Sequence, residues 1–247
     1  MSNWFKIYHQ SHQPKLRLFC FPYAGGSAQI FSKWADFLPQ AVDIFAIQAP
    51  GRGRRFSEKP IASLKSKMQI LHQEILPYTD IPYMFIGHSN GALLAYELAR
   101  ELQKSGNCNL QHIILSAKRA PHLPDIKQPI HDLSQSEFVS KLKEYDFTPN
   151  EVLANEELME LFSPMLRADF ALSETHDFDQ GLKLQTDASL FWGNEDEDVP
   201  LDDVLAWKEL IDGEVNLVEF NDGHFFISHS EEMFLREVNK LIKGAIT

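Results

Sequence analysis

The chain is 247 residues long, 44% hydrophobic and 23% charged, with a formal net charge of −12. Such a chain can bury a full core as one large α/β domain or as two small ones, and its acidity argues against a nucleic-acid partner. The opening residues lack the basic-then-apolar order of a signal peptide, and no apolar run nears the ~18 residues of a membrane span, so a cytoplasmic protein without a membrane partner is expected.

In chain order, Leu16-Arg17-Leu18-Phe19-Cys20-Phe21 reads as the first central strand, closed by Pro22-Tyr23-Ala24-Gly25-Gly26-Ser27. Residues 28–38 carry helical spacing at Ile30, Phe31, Trp34 and Leu38. A second strand over 42–46 leads into the loop Gln48-Ala49-Pro50-Gly51-Arg52-Gly53-Arg54-Arg55. A helix is predicted over 61–76, closed by Pro77, and a short aromatic strand over 83–86. Residues 92–103, rich in Ala, Leu and Glu, form the next helix, and 111–116 the next strand. Strands over 188–192 and 215–220 flank a helix near 201–211, and 230–242 is the closing helix. Cys20 and Cys108 have no zinc-type or CxxC spacing and are expected to be free, reduced and buried.

The alternation of strands and helices predicts an α/β fold with a mainly parallel central sheet and helices on both faces. One stretch, about 121–180, departs from it and shows only helical patterns, over 136–145, 155–162 and 165–172. Ser134-Gln135-Ser136-Glu137 and Thr148-Pro149-Asn150-Glu151 look like helix starts within it. A helical insertion between two sheet strands is most simply a lid over an active site, and otherwise a peripheral helical layer. The whole chain, 1–247, is then a single domain carrying that insertion.

The chemistry centres on Gly87-His88-Ser89-Asn90-Gly91, a G-x-S-x-G motif between a strand and a helix. This setting forces Ser89 onto a tight strand-to-helix turn with its hydroxyl exposed. A serine hydroxyl needs a base within hydrogen-bond reach, and in this topology an acid and then a histidine follow it in the chain. His224 sits at a late strand end in Asn221-Asp222-Gly223-His224; the nearest rival, His229, lies at the start of the final helix. His88 is expected to face the other side of the turn and pack. The acidic turn Gly193-Asn194-Glu195-Asp196-Glu197-Asp198 supplies the acid, either Asp196 or Asp198. The backbone N–H of Asn90 and that of Ala24 are the expected oxyanion donors.

These residues resemble a specific family. Phe21-Pro22-Tyr23-Ala24-Gly25-Gly26-Ser27-Ala28 with Phe31 and Trp34 is similar to the opening motif of type II thioesterases, the stand-alone proofreading enzymes of nonribosomal peptide and polyketide assembly. Ala49-Pro50-Gly51-Arg52 with Arg55, the GHSNG elbow, Leu166-Arg167-Ala168-Asp169-Phe170 and Gly223-His224-Phe225-Phe226 follow in that family's order. The resemblance implies an alpha/beta-hydrolase fold, and its G-x-x-D pattern selects Asp196 as the acid beside catalytic Ser89 and His224. It implies hydrolysis of acyl or aminoacyl thioesters on the phosphopantetheine arm of an acyl or peptidyl carrier protein, with no metal and no bound cofactor, by a monomer. Product release from a synthase, cleavage of medium-chain acyl groups, and small-molecule carboxylesterase activity are the alternatives. A non-catalytic carrier-docking role fits less well with three intact catalytic groups. Asn90 and His176 stand where the family favours an apolar residue and Tyr. Arg52, Arg54, Arg55, Lys118 and Arg119 are candidate docking charges, or simply a solvated face.

Overall fold

In the central strands two apolar sets alternate, interrupted by Arg17 and Asp43 near the strand starts. In Leu16–Phe21, Leu16, Leu18 and Cys20 join one buried cluster while Phe19 and Phe21 join another. Val42–Ile47 and Tyr83–His88 divide the same way, Ile44 and Met84 to one face and Phe45 and Phe85 to the other. Side chains two apart share a face of a strand, so a run apolar at every position marks a sheet covered on both sides. The computed structural model, which describes residues 2–124, 128–144 and 150–246, builds this sheet.

The strands are β1 (Phe5–His9), β2 (Leu16–Phe21), β3 (Val42–Ile47), β4 (Tyr83–His88), β5 (Leu110–Ser116), β6 (Asp187–Gly193) and β7 (Val215–Phe220), in the spatial order β1-β3-β2-β4-β5-β6-β7. Among the described residues, the edge pairing of β1 with β3 is antiparallel and the five other pairings of these strands are parallel. On one face lie α1 (Leu64–Ile75) and α2 (Asn90–Lys104), through Leu64, Met68 and Leu71 and through Leu93, Leu98 and Leu102. Between β5 and β6 come α3 (Gln135–Leu142), α4 (Asn150–Leu153) and α5 (Glu156–Glu174), and α6 (Leu201–Leu205) precedes β7. The chain then closes with α7 (Phe226–His229) and α8 (Glu231–Ile246), the latter packing Phe234, Leu235, Val238 and Ile242 on the opposite face. This is the α/β-hydrolase fold that the motifs imply. Among the described residues no helix is long and apolar enough to cross a membrane.

The strand order also locates a crevice. The chain leaves β2 toward β3 on one side and leaves β4 toward β5 on the other, so the carboxyl ends of β2 and β4 diverge where the topology switches. Ligands of open parallel sheets bind outside such a point.

Several expectations need correction. Residues 28–38 form two short 3₁₀ turns, Ala28–Phe31 and Trp34–Asp36, in place of a helix. A three-residue period brings Phe31 edge-to-face against Trp34 at 4.8 Å between ring centroids, and both are buried. Patterns over 155–162 and 165–172 are one helix, α5, which runs through Pro164. Proline removes a helical hydrogen bond, but Met159, Met165 and Leu166 on either side of it are buried in one cluster with α3, and that packing carries the helix through. The sequence does not predict β1, which at the sheet edge buries only Phe5 fully. Cys108 is exposed rather than buried. The proposed helix start at 148–151 and the end of the 136–145 pattern fall partly outside the described residues.

Candidate active site

Every candidate group stands at the carboxyl end of a strand, around the β2/β4 switch. β4 ends in His88, and Ser89 turns the chain directly into α2 with φ of 53° and ψ of −119°. A non-glycine residue in such a conformation is strained and persists only where its surroundings hold it. Ser89 N–H donates to the Ser116 carbonyl at 2.8 Å, and the Ser89 carbonyl accepts from Ala92 at 2.9 Å. The turn is tight because two glycines let backbones cross. A Cβ at Gly87 would lie 2.2 Å from the Gly91 carbonyl oxygen.

His224 follows β7 in the loop before α7, and Asp196 follows β6. Asp196 Oδ2 accepts from His224 Nδ1 at 2.6 Å, and Asp196 Oδ1 accepts from the Asp198 backbone N–H at 3.0 Å. Accepting at Nδ1–H fixes the imidazole with Nε2 unprotonated, the tautomer that a general base requires. The Asp196 side chain is 2% exposed, whereas Asp198 is exposed and touches this arrangement through its main chain. The rival His229 is 62% exposed and stands 3.5 Å from Asp222.

His88 has a more definite place than general packing. Its Nε2 is 2.9 Å from the His224 carbonyl and its Nδ1 2.8 Å from Ser116 Oγ. A carbonyl can only accept, so Nε2 carries the proton. Burial, and next to it the neighbouring His224, pushes this imidazole well below its ordinary pKa. His88 is therefore neutral, Ser116 donates to it, and it clamps the main chain of His224 from behind.

The loop after β2 carries Ala24, the other expected backbone donor. Gly26 N–H donates to Tyr23 O at 2.9 Å and Gly25 N–H to Asp169 Oδ2 at 2.8 Å. Among the described residues none accepts from the Ala24 amide. Asn90 opens α2, where the first helical N–H groups have no intrahelical acceptor. Ser89, Ala24, Asn90, Asp196 and His224 all line one cavity of about 780 Å³, with Leu93, Phe170 and His176 farther along its wall. That volume is within the range of small-molecule sites. His176 also contacts Glu97 at 3.3 Å.

Behind the cavity is a buried charge cluster. Asp169, on α5, accepts from Arg52 Nη1 at 2.7 Å and Nη2 at 2.8 Å, and lies 3.7 Å from Lys67 Nζ. Arg52 Nη1 also donates to Gly26 O at 2.9 Å. Burial alone would raise Asp169, but Arg52, Lys67 and the Gly25 N–H hold its carboxyl below the usual carboxylate range. Arg52 is thus a core residue, not a docking charge. Arg54 donates to the carbonyls of Asn3 and Phe5, Arg55 pairs with Glu58, and Arg119 pairs with Asp203. Lys67 was not singled out from the sequence, although it interrupts the buried stripe Leu64, Met68, Leu71 and Ile75 of α1.

Two cations share one carboxylate here, so the cluster holds a surplus positive charge. Burial, with Arg52 adding to it and Asp169 opposing it, brings Lys67 from 10.5 down to about 8. The folded protein releases that proton near pH 8 and the unfolded chain near pH 10.5, so in between the unfolded state binds more protons. Stability from this group therefore rises with pH across that window and is lowest below it. Lys67→Met should be the more stable form at pH 7, by up to roughly 3 kcal/mol, with the advantage shrinking from pH 8 upward. Urea melts of both proteins at pH 7 to 10 measure this; a gap that stays constant contradicts it.

The comparisons with known proteins agree in direction. The thioesterase-domain family model matches residues 16–242. The chain is 35% identical over 231 residues to the gramicidin S biosynthesis protein GrsT of Aneurinibacillus migulanus, covering 94% of this chain and 90% of that one. It is 30% identical over 227 residues to thioesterase PikA5 of Streptomyces venezuelae, with 91% and 80% covered. Among solved structures, the type II thioesterase BorB from the borrelidin biosynthetic cluster superposes with a TM-score of 0.87 at 32% identity, over 96% of this chain and 97% of that one.

Proposed function

The chain belongs to the thioesterase family, and we propose that it is a type II enzyme that clears acyl and aminoacyl groups from the phosphopantetheine arms of carrier proteins on nonribosomal peptide or polyketide assembly lines. The observation that carries this reading is a single cavity lined by a strained Ser89, a His224 hydrogen-bonded to buried Asp196, and the backbone of Ala24 and Asn90.

In this reading His224 Nε2 takes the Ser89 proton as Oγ attacks the thioester carbonyl. The Asn90 and Ala24 N–H groups hold the oxyanion of the tetrahedral intermediate. Its collapse breaks the carbon–sulfur bond, and the imidazolium returns the proton to the departing pantetheine thiolate. Water deprotonated by the same imidazole then resolves the acyl-enzyme and releases the free acid. Asp196 stabilises the imidazolium throughout. The helices α3 to α5 act as the lid, since Phe170, Ser173 and Glu174 of α5 line the cavity. An editing enzyme must accept many acyl groups, and a cavity larger than a short acyl chain suits that.

The test is release of free acid from carrier proteins loaded with acetyl, aminoacyl and medium-chain groups, followed by mass spectrometry. Short acyl and aminoacyl groups should turn over at least as fast as longer ones, with a clear gain over the same acyl group on N-acetylcysteamine. Equal cleavage of simple oxygen esters, with no gain from a carrier, would make it a carboxylesterase. A strong preference for medium chains would make it a fatty-acyl-releasing enzyme.

A further inference from the structure

One residue of the insertion, Asp169, bonds both Asn90 and the neighbour of Ala24, the two residues expected to donate to the oxyanion being Asn90 and Ala24. Asp169 Oδ2 accepts from Gly25 N–H at 2.8 Å, next to Ala24, and the Asp169 backbone carbonyl accepts from Asn90 Nδ2 at 2.8 Å. Because a carbonyl only accepts, the amide of Asn90 must turn its NH₂ toward it. Asp169 and Asn90 are both buried, at 3% and 5% exposure, so neither tie competes with solvent. The Arg52 guanidinium grips both Asp169 oxygens and, through Gly26 O, the far side of the same loop.

We propose that Asp169 is a positioning residue that assembles the oxyanion hole, its carboxylate setting the Ala24–Gly25 segment and its carbonyl setting Asn90. The proposal rests on the oxyanion assignment made above. A hole works only when both N–H groups converge on the position of the developing oxyanion, and a loop running Ala24-Gly25-Gly26 has little conformational preference of its own. Gly25 has a φ of 76°, and its N–H is directed to an anchor outside the loop. Asp169 provides it from α5, and the hole is complete only while α5 is seated. The Asn90 side chain, the unusual letter in the elbow, becomes the matching tie on the other wall. It is a device that an apolar residue at this position lacks.

Two variants test this. Asp169→Asn preserves shape but weakens the grip on Gly25 and Arg52, and Asn90→Leu removes only the tie to the Asp169 carbonyl, leaving the 90 amide in place. Each is compared with wild type for kcat and KM on an acyl N-acetylcysteamine thioester and for inhibition by the corresponding acyl trifluoromethyl ketone. That ketone takes up Ser89 Oγ to give a hemiketal oxyanion occupying the hole. Asp169→Asn should lower kcat about 10²- to 10³-fold and raise the ketone inhibition constant by a similar factor, with KM little changed. Asn90→Leu should do the same by roughly tenfold, the scale of one hydrogen bond. Should Asp169→Asn not fold, Asn90→Leu decides alone. Folded variants with wild-type kcat and ketone affinity, or with a raised KM and unchanged kcat, overturn the proposal. A wild-type enzyme that cleaves thioesters but ignores the ketone overturns the oxyanion assignment itself, and this proposal with it.

Discussion

Ser89→Ala and His224→Ala should each lower thioester hydrolysis by roughly 10⁴- to 10⁶-fold, and the double variant should be no worse than either alone. The non-additivity matters as much as the size, because two groups acting in one proton transfer cannot be lost twice. Ser89→Ala should leave the melting temperature nearly unchanged, since the strained turn is held by main-chain bonds to Ser116 and Ala92 rather than by the hydroxyl. Asp196→Asn should cost about 10³- to 10⁴-fold, because an amide NH₂ facing Nδ1 favours the tautomer with its proton on Nε2. Asp198→Asn should stay within a few-fold of wild type, as it keeps the backbone N–H from which Asp196 Oδ1 accepts. Free-acid release, with fluorophosphonate labelling of the serine, measures the series. Full activity in Ser89→Ala would move the nucleophile elsewhere, and a large loss in Asp198→Asn would reverse the assignment of the acid.

Much of this site is legible in the sequence because its parts are local. A strand, a G-x-S-x-G turn and a helix occupy consecutive residues, and His224 and Asp196 each sit just past a recognisable strand. The buried cluster is not local: Arg52, Lys67 and Asp169 come from a loop, α1 and α5, and each alone reads as an ordinary surface charge. Read along the chain, Arg52 belongs to a basic run and so suggested a docking charge; only packing shows that it faces inward. The 3₁₀ turns at 28–36 are hidden for a related reason, since the three-residue spacing of Phe31 and Trp34 fits an α-helix and a 3₁₀ turn alike. β1 was missed because an edge strand with one buried face carries little hydrophobic pattern. What the sequence leaves hidden is pairing between distant charged groups, and in this protein such pairing holds the Gly25-Gly26 backbone.

Gly91→Ala should be among the most damaging single-methyl additions in the molecule, for a reason separate from chemistry. A Cβ there would lie 2.1 Å from the Phe21 carbonyl oxygen and 2.7 Å from that of Pro22, both backbone atoms at the end of β2. No rotamer change relieves such a contact, so either α2 must lift off the sheet or the strand end must shift. α2 cannot lift cheaply, because Ala92, Leu93, Ala95 and Leu98 are buried in the core beneath it. The cost should reach about 4 kcal/mol or more, at the far end of single-substitution effects, and a drop of order 10 °C in melting temperature for a domain of this size. Any folded fraction should also lose kcat, since the displaced strand end carries the Ala24 loop. Gly244→Ala is the control: a Cβ there meets nothing within 4 Å, and the position lies inside α8. It should be neutral or stabilising by up to about 1 kcal/mol through helix propensity. Thermal melts followed by circular dichroism compare the two, and equal melting temperatures would mean that the close crossing of β2 and α2 does not constrain the fold.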